Sequence, residues 1–213
     1  IGKRPIDSFL DGWKQMGARI AEKKDGYMVS SQRLVGADIT FRKVSVTGTE
    51  TLMMTAALAH GKTVLRNAAC EPEIPSLAEF LNVSGALIRG AGTPTIKIAG
   101  TGGKLLRARK PFRTIPDRIE TGSFLILGAA LGKAMTITQC VPEHVSVLTA
   151  ALAEAGVSLQ IGSRSISVSR PRTLQPVDIK TREYPGFATD LQAPFVVLMT
   201  QATGQSMIFE TVF

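Results

Sequence analysis

A chain of 213 residues with a 44% hydrophobic share can build one large domain or two small ones with real cores. Its 25 Lys and Arg against 17 Asp and Glu give a formal charge of +8 and a pI near 9.8, which favours an anionic partner, either nucleic acid or a small ligand carrying phosphates and carboxylates. Aromatics make up 6% and do not interleave with basic residues, which weakens the single-strand-binding reading and leaves nucleic acid the less favoured partner. The two cysteines, Cys70 and Cys140, form no disulfide framework and suggest reduced thiols in a cytoplasmic protein. His60 and His144 stand alone without ligand spacing, so no metal site is expected. No apolar run reaches membrane-spanning length and no signal peptide opens the chain, so no membrane partner is expected either. Ile1 and the apolar Phe213 do not look like natural termini, and the chain is expected to be a fragment.

In chain order, Arg4-Pro5-Ile6-Asp7 places a cation beside a carboxylate, and an amphipathic run from Phe9 to Met16 then predicts a helix ending at Gly17. Tyr27 to Ser30 reads as a strand. Lys43-Val44-Ser45-Val46 alternates like a strand that ends where Thr47-Gly48-Thr49 turns into a helix. Its amides and Lys43 suit either a phosphate or an ordinary strand edge. Leu52 to Ala59 is apolar nearly all round, predicting a buried helix before a strand at Lys62 to Leu65. Gly61-Lys62-Thr63 resembles the end of a phosphate loop, but Ala56 stands where that motif needs glycine and the helix-to-strand polarity is wrong. Glu71-Pro72-Glu73-Ile74 is a loop-to-helix junction whose carboxylates are expected in solvent, and the helix continues to Val83. Thr95 to Ala99 is a strand, and Gly90, Gly92, Gly100, Gly102 and Gly103 read as turns.

The basic loop from Arg107 to Arg113 gives way to the helix start Asp117-Arg118-Ile119-Glu120, and a domain boundary is expected there, with residues 1–115 in one domain and 116–213 in the next. Helix-then-strand pairs follow at Phe124 to Leu131 with Met135 to Thr138, and at Phe195 to Ala202 with Ser206 to Phe209. Between them lie a helix from Val145 to Ala155 and a strand from Ser165 to Ser169. The pattern Met16-Gly17-Ala18 recurs as Ser84-Gly85-Ala86 and Ala155-Gly156-Val157, a repeat of about 70 residues. Each unit reads helix, strands, buried helix, strand. Sheets wrapped around inner helices would satisfy this, an α+β arrangement rather than a doubly wound sheet.

Tyr184-Pro185-Gly186-Phe187-Ala188-Thr189-Asp190 carries the sharpest chemical signal. Pro185 and Gly186 break the preceding strand, Thr189 is expected to cap the following helix, and Asp190 falls in its first turn, where a carboxylate suits the amide dipoles. Such a group is either a general base or an ordinary first-turn stabiliser.

Together these segments resemble the UDP-N-acetylglucosamine 1-carboxyvinyltransferases (the MurA family) within the enolpyruvate transferases. The motifs are Arg4 to Asp7, Lys43 to Val46, Asn67-Ala68-Ala69 with Glu71 to Ile74, Asp117 to Gly122, Tyr184 to Ala193 and Glu210 to Phe213, in the family's order across the whole chain. The resemblance implies two inverse α/β prism domains built from repeated βαβαββ units, here both partial. It implies that the enolpyruvyl group of phosphoenolpyruvate is transferred to the 3′-hydroxyl of UDP-N-acetylglucosamine with release of phosphate, the first committed step of peptidoglycan synthesis, without a cofactor. Asp190 then matches the aspartate that takes the sugar hydroxyl proton. Arg4, Pro5, Ile6, Asp7 and Ser8 match a segment contacting the uridine and its phosphates, Lys43, Val44, Ser45 and Val46 a second nucleotide-binding segment, and Val212 a residue at the sugar. Glu71 and Asp117 match acidic residues lining the family's cleft.

Family members are about twice as long; the matched stretch begins after the loop bearing their catalytic Cys or Asp and stops before later arginines, so the isolated chain is expected to be catalytically silent. Neither Cys70 nor Cys140 matches that cysteine. Ala188 stands for a usual Pro, Thr47 for a usual Gly, and Pro194 for a usual Gln, where its missing N–H would cost the helix a bond. The alternatives are a shikimate-type enolpyruvyl transferase, whose glycine-rich phosphate motifs do not appear, and a non-catalytic UDP-sugar or nucleic-acid binding protein of the same fold.

Overall fold

The computed structural model describes residues 6–131 and 134–212. The chain divides into two compact units, Ile1–Thr114 and Ile115–Phe213. In the first, the chain from Asp38 to Ala99 forms one complete βαβαββ unit: β3 (Asp38–Thr40), α2 (Val46–Leu58), β4 (Lys62–Arg66), α3 (Glu73–Val83), β5 (Leu87–Arg89) and β6 (Thr95–Ala99). The strands lie in the order β3-β4-β6-β5, with β3 parallel to β4 and the other pairs antiparallel. Before it come α1 (Asp7–Gln15) and an antiparallel hairpin of β1 (Arg19–Lys23) and β2 (Gly26–Ser30).

Alternation explains the packing. Leu65 of β4 pairs directly with Ile96 of β6, and Thr63 with Ile98, so one face of the sheet, apolar apart from Thr63, is withdrawn from water. That face receives Leu52, Met53 and Ala56 of α2 and Ile74 and Ala78 of α3. Burying each large side chain contributes about 1.5–3 kcal/mol before entropy is counted.

The second unit repeats the plan. Here α4 (Arg118–Leu131), β7 (Met135–Thr138), α5 (Ser146–Glu154), β8 (Ser158–Ile161) and β9 (Ser165–Ser169) form an αβαββ unit with strand order β7-β9-β8. A βαβ segment follows: β10 (Ile179–Lys180), α6 (Gln192–Met199) and β11 (Ile208–Phe209), whose two strands pair in parallel. Leu125, Ile126, Leu148, Leu152, Ile166, Val168, Phe195 and Leu198 fill a core that shares no buried residue with the first.

The repeat rests on a common helix ending. Gly17, Gly85 and Gly156 follow α1, α3 and α5 with φ of +92°, +108° and +85°, the left-handed conformation that glycine adopts without a Cβ penalty. The residue before each glycine accepts a later amide through its carbonyl: Met16 from Val35, Ser84 from Arg107 and Ala155 from Gln175.

The inner helices are less enclosed than their composition predicts. Met54 and Leu58 of α2, Phe124, Leu127 and Leu131 of α4, and Val196 and Val197 of α6 are exposed. Helix period decides this: each helix turns one face to its sheet, and the opposite face stays outside the unit's core. No helix among the described residues is long and apolar enough to cross a membrane.

Candidate functional site

In the first unit the candidate residues gather at the start of α2. The strand expected at Lys43 to Val46 is not there. After β3 the chain bends at Arg42 and Lys43, and Ser45 is the N-cap of α2, with extended backbone and its Oγ accepting the Gly48 amide at 3.0 Å. A Ser three residues before Gly48 is a helix-start signal, and it outweighs an alternation only four residues long. Lys43 is exposed, whereas Val44, Ser45 and Val46 are half-buried. A Cβ on Gly48 would stand 2.9 Å from Ser8 Oγ and 3.0 Å from Ser45 Oγ, so both hydroxyls converge over the first turn of α2. Ile6 caps α1, half-buried, and Asp7 is exposed in its first turn. Arg4 and Pro5 lie outside the described residues.

One turn on, Thr49 is fully buried and its Oγ1 accepts the Ala69 amide at 3.0 Å. Asn67, at φ +54°, donates from Nδ2 to the Phe41 carbonyl at 3.0 Å. These bonds hold the segment leading to Glu71 against α2. Glu71 is 6% exposed, not solvated as its loop setting suggested. Burial, then the neighbouring Glu73 and Glu71, pushes the half-buried Glu50 carboxyl of α2 above its ordinary range. Because the folded chain holds this proton more tightly than the unfolded one, stability falls as pH rises from the ordinary glutamate value through the raised one. Glu50→Gln should therefore stabilise the first unit above that window, by less than about 1 kcal/mol because solvent screens a half-exposed group, and flatten the pH dependence of thermal melting. An unchanged pH profile would remove Glu50 from this cluster. Cys70 and Cys140 are free thiols. Burial, then the nearby Glu71, pushes the Cys70 thiol up, and burial above all does so for Cys140, the opposite of what a reactive thiolate needs.

In the second unit Asp190 is exposed in a 3₁₀ turn, Thr189–Leu191, that runs into α6. The loop before it is closed by short bonds: the Arg182 amide donates to Phe187 O at 3.0 Å and the Gly186 amide to Glu183 O at 2.8 Å, with a cis bond between Tyr184 and Pro185. Phe187 and Leu191, both buried, peg the turn from either side, Phe187 edge-on to Phe195 at 5.3 Å. Thr189 does not cap the helix. Its hydroxyl donates instead to Glu210 Oε2 at 2.8 Å, and α6 starts without a side-chain cap. Pro194 is the third residue of α6, where the amide it lacks has no acceptor within that helix, so the bond expected to be lost is not one the helix makes.

Val212 donates its amide to Glu210 Oε1 at 2.7 Å. Asp117 caps α4: Oδ1 accepts the Ile119 and Glu120 amides at 2.7 and 3.1 Å. The Arg118 guanidinium lies over the Tyr184 ring, 5.9 Å from its centre. A small cleft is lined by Arg118, His144, Tyr184, Gly186 and Leu191, and Asp190 stands outside it.

Ser8 and Ser45 thus both bring their hydroxyls to the Gly48 turn, and Asp190 is joined to Val212 through Thr189 and Glu210, while Asp117 serves a separate helix start. Sequence reasoning missed Glu50 and Glu210. Glu210 lies within a quoted motif, but only pairing across 21 residues reveals what it holds.

The family described as EPSP synthase (3-phosphoshikimate 1-carboxyvinyltransferase) matches residues 1–213. Among curated proteins, the chain is 46% identical over 213 residues to UDP-N-acetylglucosamine 1-carboxyvinyltransferase of Campylobacter lari, and 48% identical over 214 residues to that of Acidobacterium capsulatum. All of this chain is covered but only 50% and 48% of theirs, so it spans about half the length of these relatives. Among solved structures, the enolpyruvyl transferase NikO from Streptomyces tendae superposes with a TM-score of 0.86 at 24% identity, covering 100% of this chain and 53% of that one. An EPSP synthase from Acinetobacter baumannii gives 0.60 at 18% identity, covering 96% and 48%. With a βαβαββ unit in hand and a family match along its entire length, the chain belongs to the EPSP synthase (3-phosphoshikimate 1-carboxyvinyltransferase) family.

Proposed function

We propose that the chain forms part of a UDP-N-acetylglucosamine 1-carboxyvinyltransferase, which takes UDP-N-acetylglucosamine and phosphoenolpyruvate as substrates in cytoplasmic peptidoglycan synthesis and so serves cell shape and division. The observation that carries this reading is identity of 46–48%, over the whole chain, with relatives of that name. Charge supports it: 18 of the 25 Lys and Arg but only nine of the 17 acidic residues lie in residues 1–114. A nucleotide diphosphate is best met there, by Lys43 with the Ser8 and Ser45 hydroxyls at the start of α2, and by the Arg4 to Asp7 motif that precedes Ser8 in the sequence. Asp190 and Val212 belong to the sugar, and the two units to the family's two prism domains, with Glu71 and Asp117 as acidic cleft residues.

In the reaction, the sugar 3′-oxygen bonds to the enol carbon of phosphoenolpyruvate while its proton passes to Asp190. The methylene carbon takes a proton from a general acid, then gives one up as the carbon–oxygen bond to phosphate breaks. The products are the enolpyruvyl ether and inorganic phosphate.

Phosphate release by the full-length protein, dependent on both substrates, tests the reading. Release with shikimate 3-phosphate in place of the UDP-sugar would overturn it in favour of the shikimate-type reaction. Lys43→Ala should weaken UDP-sugar binding by about 10–100-fold, the worth of one charge-assisted phosphate contact. Calorimetric titration showing unchanged affinity would take Lys43 out of the nucleotide site.

A further inference from the structure

The assigned base and the assigned sugar contact lie on different stretches of the second unit, and one side chain joins them. Glu210 accepts the Thr189 hydroxyl on Oε2 at 2.8 Å and the Val212 amide on Oε1 at 2.7 Å. Thr189 is the residue before Asp190 and opens its 3₁₀ turn. Glu210 is itself firmly based. It follows β11, whose register with β10 is set by Ile179 with Ile208 and Lys180 with Phe209. The next residue, Thr211, is doubly bonded to Thr181, its amide to Oγ1 at 2.9 Å and its hydroxyl to the carbonyl at 2.5 Å. Thr181 is fully buried and also bridges Phe187, in the loop that leads to Asp190.

We propose that Glu210 is a positioning residue: its carboxylate clamps the Thr189–Leu191 turn to the Thr211–Val212 segment, and thereby sets where Asp190 stands relative to the bound sugar. The proposal rests on the reading of Asp190 as the base. Glu210 acts through Thr189 and exchanges no proton with substrate. The clamp matters because catalysis is steep in geometry: a misplacement of about 1 Å can cost on the order of 10²-fold in rate. The 3₁₀ turn has no side-chain cap of its own to hold it.

The chemistry of the clamp separates it from other roles. Gln in place of Glu210 can accept the Val212 amide with its carbonyl and donate its NH₂ to Thr189, because a hydroxyl both donates and accepts. Glu210→Gln should therefore lose only about threefold in kcat, whereas Glu210→Ala, which frees both arms, should lose about 10–100-fold. Thr189→Val, which cuts one arm, should lose about tenfold in kcat with the KM for the UDP-sugar within about threefold; Thr189→Ser should retain most of the activity. These are to be measured in the full-length protein, with amide hydrogen exchange at residues 188–192 and 211–212 as a readout of the clamp itself. Exchange should quicken in Glu210→Ala and Thr189→Val but not in Glu210→Gln. Combined with Asp190→Asn, Glu210→Ala should cost little further turnover, since it works through the base. Glu210→Gln as damaged as Glu210→Ala would overturn the proposal by making the charge itself the functional group. So would Thr189→Val at wild-type turnover with unchanged exchange. If Asp190→Asn alone kept its turnover, the base assignment would fall, and quickened exchange in Glu210→Ala would then leave the clamp as a fold element only.

Discussion

Asp190→Asn is expected to lower turnover of the full-length protein by about two orders of magnitude or more, with UDP-sugar affinity changed far less. The sugar hydroxyl is too weak an acid to ionise beforehand, so its proton must leave as the carbon–oxygen bond forms. A positioned carboxylate accepts it, and such bases contribute about 10²–10⁴-fold. Asn keeps the shape and a hydrogen bond but cannot take the proton. The structure suits the role: Asp190 is exposed on a turn whose flanking residues, Phe187 and Leu191, are buried, so its backbone is fixed while its carboxylate stays reachable. Steady-state kinetics and calorimetric binding decide the matter. Near-normal turnover in the Asn variant would return Asp190 to the rank of an ordinary turn residue.

Much of the fold was legible because the inner helices carry unmistakable composition. Leu52 to Ala59, Phe124 to Leu131 and Phe195 to Ala202 all fall on helices or their ends, each followed by the expected strand. Helix ends were legible too, since Gly17, Gly85 and Gly156 need the left-handed conformation that ends a helix. Local reading failed where a polar residue had several partners to choose from. Ser45 could be a strand residue or a cap, and only its bond to the Gly48 amide decides. Thr189 looked like a cap, yet its hydroxyl prefers the Glu210 carboxylate, a partner 21 residues away that no local pattern reveals. Glu71 and Glu73 looked solvated because a loop-to-helix junction usually lies at the surface. The Thr49 and Asn67 bonds instead fold that junction onto α2, and Glu71 goes inside. The candidate residues were recognisable mainly as a resemblance of several motifs in order. Their geometry depends on side chains between the motifs.

Phe195→Ala should destabilise the second unit by about 3–5 kcal/mol, the usual cost of emptying an aromatic core position. Phe195 is fully buried, stacks edge-on against Phe187 at 5.3 Å, and shares its core with Leu125, Leu148 and Leu198. The loss should therefore combine lost burial, a cavity that these neighbours fill only partly, and the aromatic pair itself, which adds about 0.5–1.5 kcal/mol. Phe195→Leu keeps part of the volume and should lose less. Hydrogen exchange reads both size and place. Amides of α4, β7 and β9 should exchange faster, while those of β4 and β6, whose core contains Leu52, Leu65 and Ile96 but no residue after Thr114, should keep their protection. Equal loss of protection in β4 and β6 would mean that the two cores melt as one cooperative body, and a domain boundary near Pro116 would have to be abandoned. Because Phe187, which packs on Phe195, lies in the loop that leads into the turn carrying Asp190, the same variant should also lower turnover at temperatures where the unit is still folded. A variant that lost stability but kept its turnover below the melting transition would show that the Glu210 clamp alone is enough to hold the turn.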